Sequence, residues 1–204
     1  MRAAKVIGWS IVVLLALITV LVVVLLSLEL STYRGPLQSE ITKAVGRQVS
    51  LRGEMSLQLS LHPTIAIEDV RLANPPWASR PDFARVGRVE IQLALWPLLH
   101  GNLDILNVGV DGLDVLFEAR ADGTNNWTFG QDTGTPPALP AIQSLSCEQC
   151  VIAYRVDADR EQRLVIAAAA GALALDEPAQ FLLSGSYRDI PFTLSLLGGT
   201  LTDL

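Results

Sequence analysis

The chain has 204 residues, 50% apolar and 18% charged, with a mean hydropathy of +0.38. That composition excludes disorder, and 15 Gly in no fixed period with only two Cys exclude collagen and a disulfide-rich scaffold. The formal charge is −6, and all 21 acidic side chains follow residue 28 whereas Arg2 and Lys5 precede it, so the acidic bulk has no electrostatic hold on nucleic acid or anionic lipid and any lipid contact falls to apolar surface.

Residues 6–28, VIGWSIVVLLALITVLVVVLLSL, carry no charge. At about 1.5 Å per residue a helix of that length is ~34 Å long, enough to cross a hydrocarbon core. A cleavable signal has a shorter apolar stretch and a small-x-small cleavage site, which residues 27–33, SLELSTY, do not offer. A retained single-span anchor is expected, with no second span to follow. Arg2 and Lys5 leave residues 1–5 in the cytoplasm by the positive-inside bias and put 29–204 on the far side, the periplasm of a Gram-negative cell.

After Gly35-Pro36, residues Leu37, Ile41, Ala44 and Val45 form the stripe of a short amphipathic helix that Gly46 stops, the only convincing helix beyond the anchor. The period then changes to two. Val49, Leu51, Gly53, Met55, Leu57, Leu59 and Leu61 alternate with polar residues, a strand too long to be regular unless Arg52-Gly53 breaks it. Further strands are expected at 64–72 with a bulge at Glu68-Asp69, at 89–95 ending at Trp96-Pro97, and at 103–110 and 113–117, paired through an Asp111-Gly112 hairpin. Segments 142–147, 151–156, 164–166, 172–175, 181–187 and 190–197 complete a mainly β, antiparallel meander.

Every strand has an apolar face, and one helix cannot cover them all. Either a second sheet closes a β-sandwich, or one sheet curls into a groove whose inside takes hydrocarbon. The stripe Val49, Leu51, Met55, Leu57, Leu59 and Leu61, continued by Val89, Ile91, Leu93 and Leu95 if the strands are neighbours, is then either ordinary core or acyl-chain lining. Trp77 and Trp96 adjoin prolines; Trp96 is assigned to the core and Trp77 to either core or bilayer interface.

Catalytic chemistry finds little support. His62 and His100 stand alone in loops, with no spacing for a metal. There is no nucleophile elbow and no phosphate-binding glycine loop. Glu68-Asp69 and Asp157-x-Asp159 fall at bulges or turns, where solvated carboxylates are common. Cys147-Glu148-Gln149-Cys150 has redox-pair spacing, but residues 151–156, VIAYRV, read as a strand and not the helix that would activate the first thiol. A turn flanked by the two cysteines, a candidate disulfide, is the plainer reading. Asn126-Trp127-Thr128 is read as turn chemistry, with Asn125 and Asn126 in left-handed angles and Trp127 packed back on the sheet. No catalytic residue, metal or cofactor is expected.

Several segments together resemble the N-terminal region of the AsmA family of bacterial membrane-anchored proteins. They are the N-terminal span, Ala44-Val45-Gly46-Arg47-Gln48-Val49, Gly53-x-Met55-x-Leu57 and the run from His62 to Asn74 (HPTIAIEDVRLAN). Trp96-Pro97-Leu98-Leu99-His100-Gly101-Asn102-Leu103, Asp122-Gly123-Thr124-Asn125-Asn126-Trp127 and Ser184-Gly185-Ser186-Tyr187 follow in order. The resemblance implies inner-membrane anchoring, a periplasmic body, and a part in outer-membrane biogenesis through phospholipid transport and outer-membrane protein targeting. Membrane phospholipid, the inner membrane and outer-membrane assembly factors are the implied partners. It also implies kinship with chorein-type bridge proteins, whose long sheets form an apolar groove. Members of the family are usually longer, so the chain is expected to be a partial one, the membrane-proximal mouth of such a groove.

Overall fold

The computed structural model describes residues 30–129, 142–157, 160–173 and 178–198. The expected anchor at 6–28 lies outside the described residues, as does Asp159. Among the described residues no helix is long and apolar enough to cross a membrane.

A 3-10 turn, Leu30–Tyr33, leads into helix α1, Arg34–Val45. Gly46 ends α1 as the sequence requires: its φ of 72° is left-handed, and its N–H returns to Thr42 O. The strands follow: β1 (Val49–Leu51), β2 (Met55–Gln58), β3 (Thr64–Ala73), β4 (Asp82–Leu93), β5 (Ile105–Glu118), β6 (Ser144–Asp157), β7 (Arg160–Ala172), β8 (Gln180–Tyr187) and β9 (Ile190–Leu197). A second short helix, α2 (Leu95–Leu99), turns the chain between β4 and β5.

All nine strands belong to one open sheet, in the order β1-β3-β4-β5-β6-β7-β8-β9, with β2 also on the outer edge of β3. This excludes the sandwich alternative among the described residues. The long alternating stripe is broken where Arg52-Gly53 allowed. A Cβ on Gly53 would stand 2.5 Å from Glu68 Cβ, so only glycine lets the edge strand step across β3 there.

Three expectations for the strands are corrected. Asp111-Gly112 is no hairpin: β5 runs straight through it, with Gly112 at φ 65°. Asp-Gly tolerates left-handed angles in a bulge as well as in a turn. Here β4 lies beside both halves, pairing Arg88 with Asp111 and Val86 with Leu113, so extension wins. Likewise β6 and β7 each join segments expected to be separate. Finally, the sheet is not wholly antiparallel, because β5 and β6 run parallel. β6 starts beside the first half of β5, Leu145 opposite Val108, and ends beside its last residues, Arg155 opposite Glu118, so the two strands share one direction.

A line of irregularities crosses five successive strands. Asp69 (φ 45°) stands beside Gly87, Gly87 beside Gly112, and Gln149 (φ 52°) at the same level on β6. On β7 the register skips Ala167. The bulge expected at Glu68-Asp69 is thus one point of a crease. Its consequence is a switch of parity. The apolar positions run Ile65, Ile67 and then Val70, Leu72 on β3, and Val108, Val110 and then Leu113, Val115 on β5. Without the extra residue, each strand would turn its second half inside out.

Candidate functional site

Register assembles these side chains into rows across the strands. One row joins Leu57, Ile65, Ile91, Val108, Leu145, Gly171, Phe181 and Leu196. The next joins Met55, Ile67, Val89, Val110, Cys147, Ala169, Leu183 and Leu194. Beyond the crease a third joins Val49, Leu72, Ala84, Val115, Ile152, Leu164, Tyr187 and Ile190. Registered partners point to the same side, so these rows are one apolar face.

Part of that face is closed. Leu37 and Ile41 of α1 pack on Val49, Leu51 and Ile67, with Met55, Ile65, Val70 and Leu72 around them. Thr42 Oγ1 and Gln38 Oε1 accept hydrogen bonds from the backbone N–H groups of Val49 and Leu51 (3.1 and 3.3 Å), fixing the helix over β1. The far corner is closed by aromatics: Phe83 meets Phe117 and Phe129 edge-on, and Trp127 lies between Phe117 and Tyr154. Between these covers, Val89, Ile91, Val108, Val110 and Leu145 are half-buried in the sheet surface, and Leu194 and Leu196 are exposed.

The sequence-derived stripe is therefore divided. Val49 and Leu51, each 4% exposed, form the floor beneath α1. Met55, Leu57, Val89 and Ile91 sit in the half-buried rows, with β3 interposed between β2 and β4. Leu93 is buried at the end of β4. Leu59 and Leu61 lie past the end of β2, and Leu95 opens α2; Leu61 and Leu95 line a cavity of about 440 Å³ with Trp96 and Leu99. Trp96 is not core: it is 75% exposed. The stripe omitted Val108, Val110, Leu145, Leu194 and Leu196, whose alternation was visible but whose side of the sheet depended on the crease.

The opposite face is polar. Glu68, Arg88, Asp111 and Glu148 form one row, and Arg88 bridges Glu68 (2.9 Å) and Glu90 (2.7 Å). The Glu90 hydrogen bond is the main reason that the Arg88 pKa is raised. A shallow cavity of about 230 Å³ lies among Arg88, Glu90, Asp111, Ser146 and Glu148. Among the described residues no group of three His, Cys, Asp or Glu is placed to hold a metal ion. Cys147 and Cys150 are joined in a disulfide that brackets Gln149 within β6, with no helix following.

Three of the segments that carry the resemblance, 44–49, 62–74 and 122–127, meet in one network. Asn126, with no exposed surface, accepts from Glu118 N and donates to Asn74 Oδ1 and Leu116 O. Arg47 donates to the carbonyls of Asn126 and Thr128, and burial lowers its pKa. Asn125 Oδ1 accepts from Trp127 N and Thr128 N. Neither Asn125 nor Asn126 is left-handed, contrary to expectation; Gly123 (φ 85°) makes that turn, and the Asn side chains do the bonding instead. Trp127 packs on the sheet as expected.

No curated protein and no solved structure matches the chain. The AsmA family model matches residues 1–151, from the uncharged run through the Asn126 loop and into β6. The chain belongs to the AsmA family.

Proposed function

We propose that this protein is a non-enzymatic, inner-membrane-anchored envelope protein whose periplasmic sheet binds phospholipid acyl chains along its apolar face. In this reading it passes lipid toward the outer membrane and so influences outer-membrane protein assembly. Family membership supports a place in envelope biogenesis or lipid transfer. The observation that carries the acyl-chain reading is the middle of the face, unroofed among the described residues from Val89 and Ile91 across to Leu194 and Leu196. Hydrocarbon burial would supply about 0.8 kcal/mol per methylene with little choice of headgroup.

A photo-crosslinking amino acid at Ile91, on the apolar face, tests this in cells against the same probe at Glu90, on the polar face. Phospholipid adducts at 91 and none at 90 are expected. Absence of lipid at 91 overturns the reading. A scaffold role is favoured by one observation: β9 offers an outer edge unpaired among the described residues, with Ile190 and Leu197 exposed. Such an edge can accept a partner's strand. On that reading a probe at Thr193 captures protein, and the probe at Ile91 captures nothing.

A further inference from the structure

One end of the sheet carries an apolar surface that the lipid-binding face does not explain. Past β2 lie Leu59 and Leu61, and α2 beside them exposes Trp96, Leu98 and Leu99; Leu61 is 79% and Leu99 62% exposed. A backbone bond from Leu93 N to Pro63 O holds the two loops together, and one from Ala94 N to Asp104 O closes the second loop on itself. His100 Nδ1 at 2.8 Å from Trp96 O and the left-handed Gly101 fix the turn that presents Trp96 outward. Residues 59–64 and 94–103 contain no Asp, Glu, Lys or Arg. A patch of this kind on a water-facing surface marks an interaction site.

The path of the chain says what lies opposite. Thr42 is tied to Val49, and Gln38 to Leu51; Arg34 donates to Gly53 O at 2.7 Å, at the crease. Going further back, the Leu30–Tyr33 turn lies against β2. Followed toward its start, the chain moves steadily down the sheet edge toward the Leu59–Leu61 end, and the next residues to be reached are the uncharged run 6–28. The charge-free patch and the start of the described chain, Leu30–Tyr33, thus share one end of the sheet, and the apolar run 6–28 comes just before that start in sequence. A bilayer interface suits Trp and Leu on short turns, and an uncharged patch on an acidic domain can meet lipid without repulsion.

We infer that this end of the sheet, residues 59–62 with α2, docks into the headgroup–acyl boundary of the same bilayer that residues 6–28 enter. The inference rests on the anchor of the proposed function and not on lipid occupying the apolar face, so it stands or falls separately from the Ile91 probe. Docking is apolar in origin, so it is insensitive to salt and needs no anionic lipid.

The test uses the full chain in phosphatidylcholine vesicles with and without brominated acyl chains. The triple variant Trp9→Phe, Trp77→Phe, Trp127→Phe leaves Trp96 as reporter. Trp9→Phe, Trp96→Phe, Trp127→Phe leaves Trp77, in the β3–β4 loop at the opposite end. Brominated lipid is expected to remove most Trp96 emission at low and high salt and to leave Trp77 unchanged. A probe at Leu99 in the otherwise unaltered chain, which needs no Trp replacement, is expected to capture phospholipid. Equal quenching at both ends would mean a sheet lying flat, and overturns the inference. So does a Trp96 shielded from bromolipid and acrylamide alike, or a Leu99 probe that captures protein, since either identifies a second copy, a partner or the chain's own N-terminal segment as the occupant. A chain that does not float with vesicles overturns it as well.

Discussion

Asn126 does for the loop 119–129 what a strand pairing would do elsewhere, satisfying Glu118 N and Leu116 O while reaching across to Asn74. Truncation strands a buried donor and a buried acceptor, each costing about 1–3 kcal/mol. Asn126→Ala is therefore expected to destabilise the fold by about 2–4 kcal/mol, read as a lower urea midpoint. Asp69 works by charge. The hydrogen bond from Arg71 (2.7 Å) is the main cause of its lowered pKa, with the Arg71 charge adding to it. A depressed carboxylate pKa contributes stability that is complete above the unfolded value, ~3.9, and is lost as pH falls through the folded one. Asp69→Asn keeps a residue that tolerates φ 45° and removes the ionisation together with one of the two oxygens that accept from Arg71. Its stability should change less than the parent's below about pH 4 in pH-dependent denaturation.

At the scale of elements, α1 and the β6 disulfide act on different parts of the sheet. Ile41 is half-buried over the Val49–Leu51–Ile67 cluster, so Ile41→Ala should cost about 1–3 kcal/mol, below the full range for a closed core. Circular dichroism against urea measures it. The Cys147–Cys150 bridge closes a loop of only two intervening residues. The entropy removed from the unfolded chain is correspondingly small, and Cys147→Ser with Cys150→Ser should cost about 2 kcal/mol or less. What the bridge does add is local: it spans Gln149, the left-handed point of the crease on β6. Exchange at the amides of 147–151 should rise in the variant more than exchange elsewhere in β6.

Across the whole molecule, the crease decides whether there is an apolar face at all. Because β3 to β7 change parity at one level, the upper and lower rows stay on one side, and the charges of Glu68, Arg88 and Asp111 stay on the other. Among the described residues the face is roofed at β1 and bare in the middle, which gives substitutions opposite outcomes on a single face. Leu51→Asp buries a carboxylate under α1 and should abolish cooperative unfolding. Ile91→Asp, in the unroofed part, should fold and lose phospholipid, as native mass spectrometry of the extracted chain would show. Unfolding by Ile91→Asp would mean that something covers that surface.

Local chemistry was enough to determine the elements whose signals lie within a few residues. The Leu37–Ile41–Val45 stripe with Gly46 behind it marks α1, Glu68-Asp69 breaks alternation within its own strand, and 181–187 and 190–197 flank a short polar turn. The family, too, was legible, because its segments recur in order along the chain. What the sequence left open was every choice between two backbone uses of the same residues. Asp111-Gly112 serves a turn or a bulge equally well, and the neighbouring β4 chose the bulge. Trp96 suits a core or a surface, and the short α2, set by where β4 ends, turned it outward. Single open sheet or sandwich, antiparallel or mixed, and which valines share a side were decided by pairing between distant strands, since register is a property of two chains of hydrogen bonds and not of one.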